Sequence, residues 1–180
     1  MEANKIIITG GAARIGAAIA KNLSGPGVKI VIHYNKSKKD AENLKKKLSK
    51  NGTKIYLVKG DLSKEKDLKK IIQFSKKKLK YFDCLINNAS LFENDNLLNF
   101  SNKSWDMHLN TNLKAPAYLS KEFSKNIGKS KNPNIINIID QRVFKLTPFF
   151  FSYTLSKTGL FTLTKTSAMT LAPKIRVNGI

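Results

Sequence analysis

Three side chains in the second half of the chain have the types and spacing of a proton-transfer site. Tyr153 and Lys157 are four residues apart in a segment of helical character, so both side chains project from the same face. A phenol has an ordinary pKa of about 10, and an ammonium group about 4 Å away lowers it by up to roughly 3 at an effective dielectric constant of about 20. Asp140, at the end of the preceding apolar run, adds a carboxyl group. Tyr-x-x-x-Lys is common by chance, so its weight depends on a nucleotide-binding turn elsewhere in the chain.

Residues 5–16 predict such a turn, with the sequence Lys-Ile-Ile-Ile-Thr-Gly-Gly-Ala-Ala-Arg-Ile-Gly. An apolar run typical of a buried strand is followed by a glycine-rich turn and an amphipathic helix. This unit places free backbone N–H groups and the positive end of a helix under a phosphate. Gly10 would permit a chain reversal, and Gly16 a close approach between helix and ligand. Because Arg14 stands where the related pattern T-G-x(3)-G-x-G has its middle glycine, the spacing is T-G-x(3)-R-x-G. It favours nucleotide binding over a plain surface turn.

Short apolar runs and amphipathic segments alternate along the whole chain. The predicted strands are 6–8, 28–34, 55–58, 84–86, 135–139 and 175–177, and the predicted helices are 15–23, 40–50, 65–80, 103–126 and 153–171. Continuous apolar centres are typical of strands buried on both faces. With no linker between the segments, the pattern predicts one domain over residues 1–180, an α/β Rossmann fold with a doubly wound parallel sheet and right-handed crossovers.

The unusual polar residues fall where the predicted strands end. In a parallel sheet of this kind the ligand lies beyond the carboxyl ends of the strands. The segments that follow the strands are Gly10–Gly16, Tyr34–Ser37, Asp61–Leu62, Asn87–Phe92 and Asp140. This agreement between topology and chemistry predicts a ligand crevice at that edge.

The loop after the second predicted strand indicates the cofactor. Sites that prefer NAD place Asp or Glu there to hold the ribose hydroxyls. Here the loop reads His-Tyr-Asn-Lys-Ser, without an acid. Lys36, Arg14 and the Ser37 hydroxyl would bind a 2′-phosphate. The sequence therefore predicts NADP(H), although Lys36 could also be one more solvated lysine.

The composition narrows the class of protein. The chain has 180 residues, one cysteine (Cys84) and a formal net charge of +21. A single cysteine excludes a disulfide framework and indicates a reducing, cytoplasmic setting. We expect no leader peptide at Met1–Asn4 and no membrane span. The lysines concentrate in the helices 40–50 and 65–80, outside their apolar stripes, so we interpret the charge as a solvated surface and expect no nucleic-acid partner. The histidines and carboxylates lack the spacing of metal ligands, and His108 is interpreted as structural.

These motifs together resemble the short-chain dehydrogenase/reductase family, and within it the pteridine reductase and dihydromonapterin reductase branch. The resemblance rests on the arginine-containing turn at Thr9–Gly16, on the Asn-Asn-Ala-Ser segment at 87–90 and on Tyr153 with Lys157. It implies an enzyme in which Tyr153 donates a proton while Lys157 lowers its pKa and holds the nicotinamide ribose. An acid at Asp140, where most of the family carries serine, suits protonation of a ring nitrogen.

The resemblance also implies the remaining site residues. The catalytic residues would be Tyr153, Lys157, Asp140 and Asn112. The substrate would contact Phe92, Asp140 and Tyr153. The cofactor would be bound by Gly10, Arg14, Ile15, Gly16, His33, Tyr34, Asn35, Lys36, Ser37, Asp61, Leu62, Asn88, Ala89, Ser90 and Lys157. Phe92 would stack a pterin against nicotinamide, or else be an ordinary core phenylalanine. His33 would be a wall residue rather than a catalyst. We expect a small-molecule substrate, no metal, and a homo-oligomer for the full-length protein.

Pro116, four residues after Asn112 in a predicted helix, lacks the N–H that would bond the Asn112 carbonyl. That carbonyl would then be free to hold a water or the Lys157 ammonium.

The chain stops after the sixth predicted strand, where the family continues with a substrate loop and a last strand, so we expect a C-terminally truncated domain. The alternatives to a pterin reductase are a reductase of another carbonyl, such as a 3-oxoacyl thioester or a sugar, and an inactive NADP-binding protein.

Overall fold

The structure, a computed structural model, describes residues 4–180. The leader expectation concerned Met1–Asn4, and residues 1–3 lie outside the described part. The strands are β1 (Lys5–Ile8), β2 (Lys29–Tyr34), β3 (Lys54–Lys59), β4 (Cys84–Asn87), β5 (Asn134–Asn137) and β6 (Arg176–Gly179). The helices are α1 (Arg14–Asn22), α2 (Lys38–Ser49), α3 (Glu65–Leu79), α4 (Asn102–Leu109), α5 (Ala115–Ser124) and α6 (Phe151–Leu171).

The six strands form one parallel sheet in the order β3-β2-β1-β4-β5-β6. The strand order reverses between β1 and β4, which is where a doubly wound sheet opens a crevice at its carboxyl edge. The predicted α/β Rossmann fold is confirmed. The turn after β1 and the loop after β4 face each other across this reversal point.

Each face of the sheet has its own apolar core. Alternate residues of β1 and β2 face opposite layers: Ile7 and Val31 pack with α3 and α5, whereas Ile6 and Ile30 pack with α1 and α2. The predicted inward stripe of the lysine-rich helices is buried, at Leu44, Leu48, Leu68, Ile71, Ile72 and Leu79. The apolar stripes fix these helices against the sheet and leave most of their lysines in solvent.

The helix predicted over 103–126 is present, but it is not a regular α-helix throughout. A π-helical turn over Asn110–Lys114 separates α4 from α5, and the Ala115 N–H bonds the carbonyl of Asn110, five residues earlier. Pro116 follows this turn and cannot donate to the carbonyl of Asn112. The ladder widens where a donor is missing, as π turns often do at functional sites.

No helix within residues 4–180 is both long and apolar enough to cross a membrane.

Candidate functional site

The turn between β1 and α1 has the shape that the sequence predicts. Gly10 has φ of +59°, and a Cβ there would lie 2.9 Å from the Cα of Ala89. A side chain at Gly16 would collide with the Gly10 carbonyl and the Asn88 amide. Gly16 therefore brings α1 against the protein's own turn, which differs from the ligand approach that we expected. The first N–H groups of α1, those of Arg14 to Gly16, have no acceptor within the helix, and the helix begins at the carboxyl edge of the sheet.

Two N–H groups of the turn are already bonded. Gly10 N–H donates to Nδ1 of His33 over 3.2 Å, and Gly11 N–H donates to the His33 carbonyl over 3.0 Å. The free donors predicted here are therefore those of the helix start rather than those of the two glycines. The resemblance places His33 among the cofactor residues, but the residue is only 2% exposed. It is part of the support of the turn.

The loop after β2 is exposed, as a 2′-phosphate site requires. Asn35 and Lys36 are exposed, Tyr34 and Ser37 are half-buried, and Ser37 directly precedes α2. Arg14 is also exposed and has φ of +50° at the start of α1. Both cations lie at the carboxyl edge of β1 and β2.

The Asp61–Leu62 pair lies in the loop after β3 and has one polar and one core residue. Asp61 Oδ1 accepts hydrogen bonds from the N–H and the hydroxyl of Ser63 at 3.0 and 2.7 Å. Leu62, expected at the adenine, packs its side chain into the core beside Leu68. Any contact from Leu62 to a ligand would come from its backbone.

The segment after β4 ties the turn to the proton-transfer residues. Asn88 Nδ2 donates to the carbonyls of Thr9 and Gly10 at 2.9 and 3.0 Å, and Ala89 N–H donates to the Thr9 hydroxyl. The side chain of Asn112, in the π turn, then bonds the next part of this segment to α6. Asn112 Oδ1 accepts the N–H of Leu91 at 2.8 Å, and its Nδ2 donates to the Ser156 hydroxyl at 3.0 Å.

Tyr153 and Asp140 form a hydrogen-bonded pair. The Tyr153 hydroxyl donates to Oδ2 of Asp140 over 2.7 Å, while Asp140 Oδ1 accepts the N–H of Arg142 over 2.9 Å. Burial and the hydrogen bond to Asp140 raise the pKa of Tyr153 above its ordinary value, and Ser90 and Arg142 oppose this only in part. The phenol therefore stays protonated at neutral pH.

Lys157 does not act on Tyr153 in the way that the spacing predicts. Its Nζ lies 5.8 Å from the centre of the Tyr153 ring and donates to the Ile138 carbonyl at 2.8 Å. Burial lowers the pKa of Lys157 to about 8, and the Asp140 charge opposes the shift. The expected lowering of the Tyr153 pKa by Lys157 is wrong for this arrangement, because the carboxylate is bonded to the phenol and the ammonium is not. Lys157 also takes Ile138, rather than Asn112, as its carbonyl partner.

Aromatic rings line one wall of the crevice. Phe92 is 53% exposed and meets Tyr153 edge to face at 4.7 Å, so it is not an ordinary core phenylalanine. Phe150 stacks on Phe92 with centroids 4.4 Å apart and planes 4° from parallel. The guanidinium of Arg142 covers Phe150 at 4.4 Å. Sequence reasoning missed Phe150 and Arg142, since neither belongs to a spaced motif.

Asp95 is a second residue that sequence reasoning missed. It is 6% exposed, its Oδ1 accepts the N–H of Ser152 at 3.0 Å and its backbone carbonyl accepts the N–H of Phe151. Phe150, the residue before α6, has a left-handed backbone and makes no side-chain cap. Asp95 therefore caps α6 from a distant loop and fixes the first turn, which carries Tyr153.

His108 is buried, and both of its ring nitrogens bond backbone groups, in agreement with a structural role. Nε2 accepts the N–H of Glu93 at 3.2 Å, and Nδ1 lies 2.8 Å from the Ser104 carbonyl. Within residues 4–180, no three His, Cys, Asp or Glu side chains gather into a group that could hold a metal.

The match to a family model defines the class of protein. Residues 4–180 match the model of the short chain dehydrogenases. The chain is 33% identical over 175 residues to a 3-oxoacyl-[acyl-carrier-protein] reductase of Buchnera aphidicola, covering 97% of this chain and 70% of the relative. The chain belongs to the short chain dehydrogenase family of oxidoreductases.

Solved structures give a narrower similarity. The fold is similar to that of the FolM alternative dihydrofolate reductase 1 from Brucella canis, complexed with NADP, with a TM-score of 0.90 and 38% identity over 97% of this chain and 70% of that one. The corresponding Brucella suis protein in complex with NADP gives the same TM-score at 37% identity, over 97% of this chain and 72% of that one. The predicted resemblance to the family is confirmed, and these neighbours agree with the predicted pteridine reductase branch.

Proposed function

We propose that the protein is an NADP(H)-dependent reductase that delivers hydride to a C=N or C=O bond of a pterin-like substrate. The single observation that carries the proposal is the Tyr153–Asp140 pair, a protonated phenol bonded to a carboxyl group beside an exposed aromatic ring. A reduction of this kind needs one proton for each hydride, and the pair supplies an acid.

The cofactor assignment is supported by the fit of the turn. Gly10 and Gly16 keep the turn free of side chains, and the open N–H groups at the start of α1 suit a pyrophosphate. Arg14, Lys36 and Ser37 would hold a 2′-phosphate, since the loop after β2 has no acid to repel it. Asp61 would lie at the adenine, and Asn88–Ser90 together with Lys157 would hold the nicotinamide half. The NADP in both similar crystal structures points the same way. When bound, NADPH supplies the hydride.

The proton transfer falls to this chain's own residues. Tyr153 donates its hydroxyl proton to the substrate. Asp140, whose other oxygen is held by the Arg142 N–H, then takes a proton from solvent at Oδ2 and returns it to the phenolate. Lys157, held on the Ile138 carbonyl, keeps a positive charge near that phenolate. Asn112 fixes the segment before Phe92 and thereby the wall against which a flat ring would stack.

A second substrate class is favoured by one observation. The relatives at 33% and 28% identity are 3-oxoacyl-[acyl-carrier-protein] reductases, which points to a carbonyl substrate. Asp140 favours the pterin, because a carboxyl group bonded to the proton donor suits protonation of a ring nitrogen. A homo-oligomer and a cytoplasmic location stay predictions from the sequence and the resemblance.

The test is steady-state oxidation of NADPH with dihydrofolate, a dihydropterin and a 3-oxoacyl thioester, with NADH run in parallel. We expect the highest kcat/KM with NADPH and a pteridine. A preference for the thioester would establish the carbonyl alternative, and a lack of turnover with every substrate, despite NADP⁺ binding, would indicate a binding protein.

A further inference from the structure

His33 joins the two loops that flank the proposed adenosine site. It is the next-to-last residue of β2, and its ring is buried between the turn after β1 and the loop after β3. Nδ1 lies 3.2 Å from the N of Gly10, and Nε2 lies 3.0 Å from the carbonyl oxygen of Gly60. Gly60 directly precedes Asp61, so one imidazole holds both sides of the crevice.

The two partners determine the protonation state of the ring. The Gly10 N–H can only donate, so Nδ1 must carry a lone pair. The Gly60 carbonyl can only accept, so Nε2 must carry the proton. The neutral Nε2–H tautomer satisfies both bonds. An imidazolium would place a second N–H against the Gly10 N–H and break the contact to the turn.

We propose that His33 is a proton-sensitive positioning residue: its neutral form locks the phosphate turn to the Gly60 loop, and its protonation releases the turn and weakens NADP(H) binding. The inference rests on the cofactor in the proposed function. It adds a regulation by pH that acts through binding of the cofactor rather than through the proton donor Tyr153.

The surroundings of His33 favour the neutral form at neutral pH. Burial lowers the pKa of His33 below its ordinary 6.5, and this outweighs the Gly60 bond and the carboxylates of Asp67, in the first turn of α3, and Asp61. β3 presents the apolar Val58 in register with His33, and the turn reads Gly-Gly-Ala-Ala before the exposed Arg14. His33 is therefore protonated, and its bond to the Gly10 N–H broken, only under acid conditions.

The tautomer is tested first, without any ligand. The chain has two histidines, and the same reasoning gives His108 the opposite Nδ1–H form, because the Glu93 N–H donates to its Nε2. Long-range ¹H–¹⁵N correlation spectra of the ¹⁵N-labelled protein at about pH 7.5 should show one ring of each tautomer. A His33→Phe variant assigns the signals, and a His108→Phe variant assigns them equally well if the first does not fold. An Nδ1–H tautomer or an imidazolium at His33 overturns the inference.

Cofactor binding is tested second, by calorimetric titration with NADP⁺ from about pH 8 to about pH 5. Protonation of the 2′-phosphate, whose pKa is about 6, by itself weakens binding as the pH falls. In the wild type, at pH values below the His33 pKa, the affinity for NADP⁺ should fall by a further factor of up to about ten per pH unit. His33→Phe should bind about tenfold more weakly at pH 8, because the Gly10 N–H loses its acceptor, and should keep only the phosphate slope. His108→Phe is the matched control, a buried histidine away from the turn, and it should keep the wild-type slope.

The outcomes separate the inference from the function. Equal slopes and equal affinities in the wild type and His33→Phe overturn the inference and leave the cofactor assignment intact. A wild type that does not bind NADP⁺ at any pH contradicts the proposed function, and the inference with it. A steeper wild-type slope together with the Nε2–H tautomer supports the inference.

Discussion

The Tyr153 hydroxyl lies 2.7 Å from Oδ2 of Asp140 and donates its proton to that oxygen. A carboxylate in this position stabilises the phenol and destabilises the phenolate. The proposed proton donor is therefore a phenol bonded to a carboxylate, which differs from the tyrosine acidified by lysine that the spacing of residues 153 and 157 predicts.

Asp140→Asn should lower the pKa of Tyr153 by roughly 1 or more, because it removes both the charge and the strong acceptor. The measurement is ultraviolet absorbance during alkaline titration, with Tyr153→Phe used to identify the signal among the five tyrosines. Asp106→Asn, an exposed carboxylate on α4, is the control and should leave the titration unchanged. A Tyr153 pKa that stays the same in Asp140→Asn would show that burial alone sets it.

Lys157→Met should stabilise the fold at neutral pH by about 1–2 kcal/mol while it abolishes turnover. Burial lowers the folded-state pKa of Lys157 from 10.5 to about 8, so its charged form is disfavoured in the folded protein. The unfolded chain binds more protons between these two values, and wild-type stability rises with pH across that window. The difference in free energy of unfolding between Lys157→Met and the wild type is therefore largest below about pH 8 and disappears toward pH 10.5.

Urea unfolding of both proteins at several pH values measures this difference. Lys45→Met, an exposed lysine on α2, controls for the loss of a surface charge and should show no such trend. A Lys157→Met variant that is less stable than the wild type at pH 7 would mean that the bond to the Ile138 carbonyl outweighs the cost of burial.

Asp95→Ala should lower the free energy of unfolding by about 1–3 kcal/mol, since the Ser152 N–H loses its acceptor inside the protein. Asp95→Asn keeps an oxygen for that bond and should cost less than half as much. Denaturant unfolding gives the stabilities, and the kcat of each variant reports whether Tyr153 keeps its place. Equal losses in both variants would show that the charge of Asp95, rather than its capping bond, stabilises α6.

Pro116→Ala should weaken turnover more than cofactor affinity. The new N–H at position 116 can bond the Asn112 carbonyl, which closes the π turn and removes the free acceptor expected to hold a water near the proton donor. Alanine also favours helix, so the thermal stability should rise. We expect a lower kcat at an unchanged Kd for NADP⁺, and an unchanged kcat would contradict the role given to the free carbonyl.

The fold could be predicted from the sequence because its signals are local. Apolar runs, glycine turns and amphipathic helices each report on a few consecutive residues, and their alternation indicates a parallel α/β sheet. The same reasoning located the crevice, since the carboxyl ends of the strands must share an edge. The π turn was missed because the consequence of Pro116 for the ladder was expected inside an otherwise regular helix.

The contacts that decide the chemistry were harder to predict from the sequence, because they join residues far apart in the chain. Asp95 caps a helix that begins 56 positions later, and His33 bonds a turn 23 positions earlier. No spacing rule connects such pairs. The pKa of Tyr153 was misjudged for the same reason: two nearby partners were foreseen, but which of them bonds the hydroxyl depends on side-chain geometry.

The most direct test of the proposed reductase is the Tyr153→Phe variant in NADPH oxidation with a dihydropterin. If Tyr153 is the proton donor beside the cofactor turn, kcat should fall by about 10²- to 10⁴-fold while the Kd for NADP⁺ stays within about twofold of wild type. Turnover retained at the wild-type rate would show that the phenol does not donate the proton and would contradict the account.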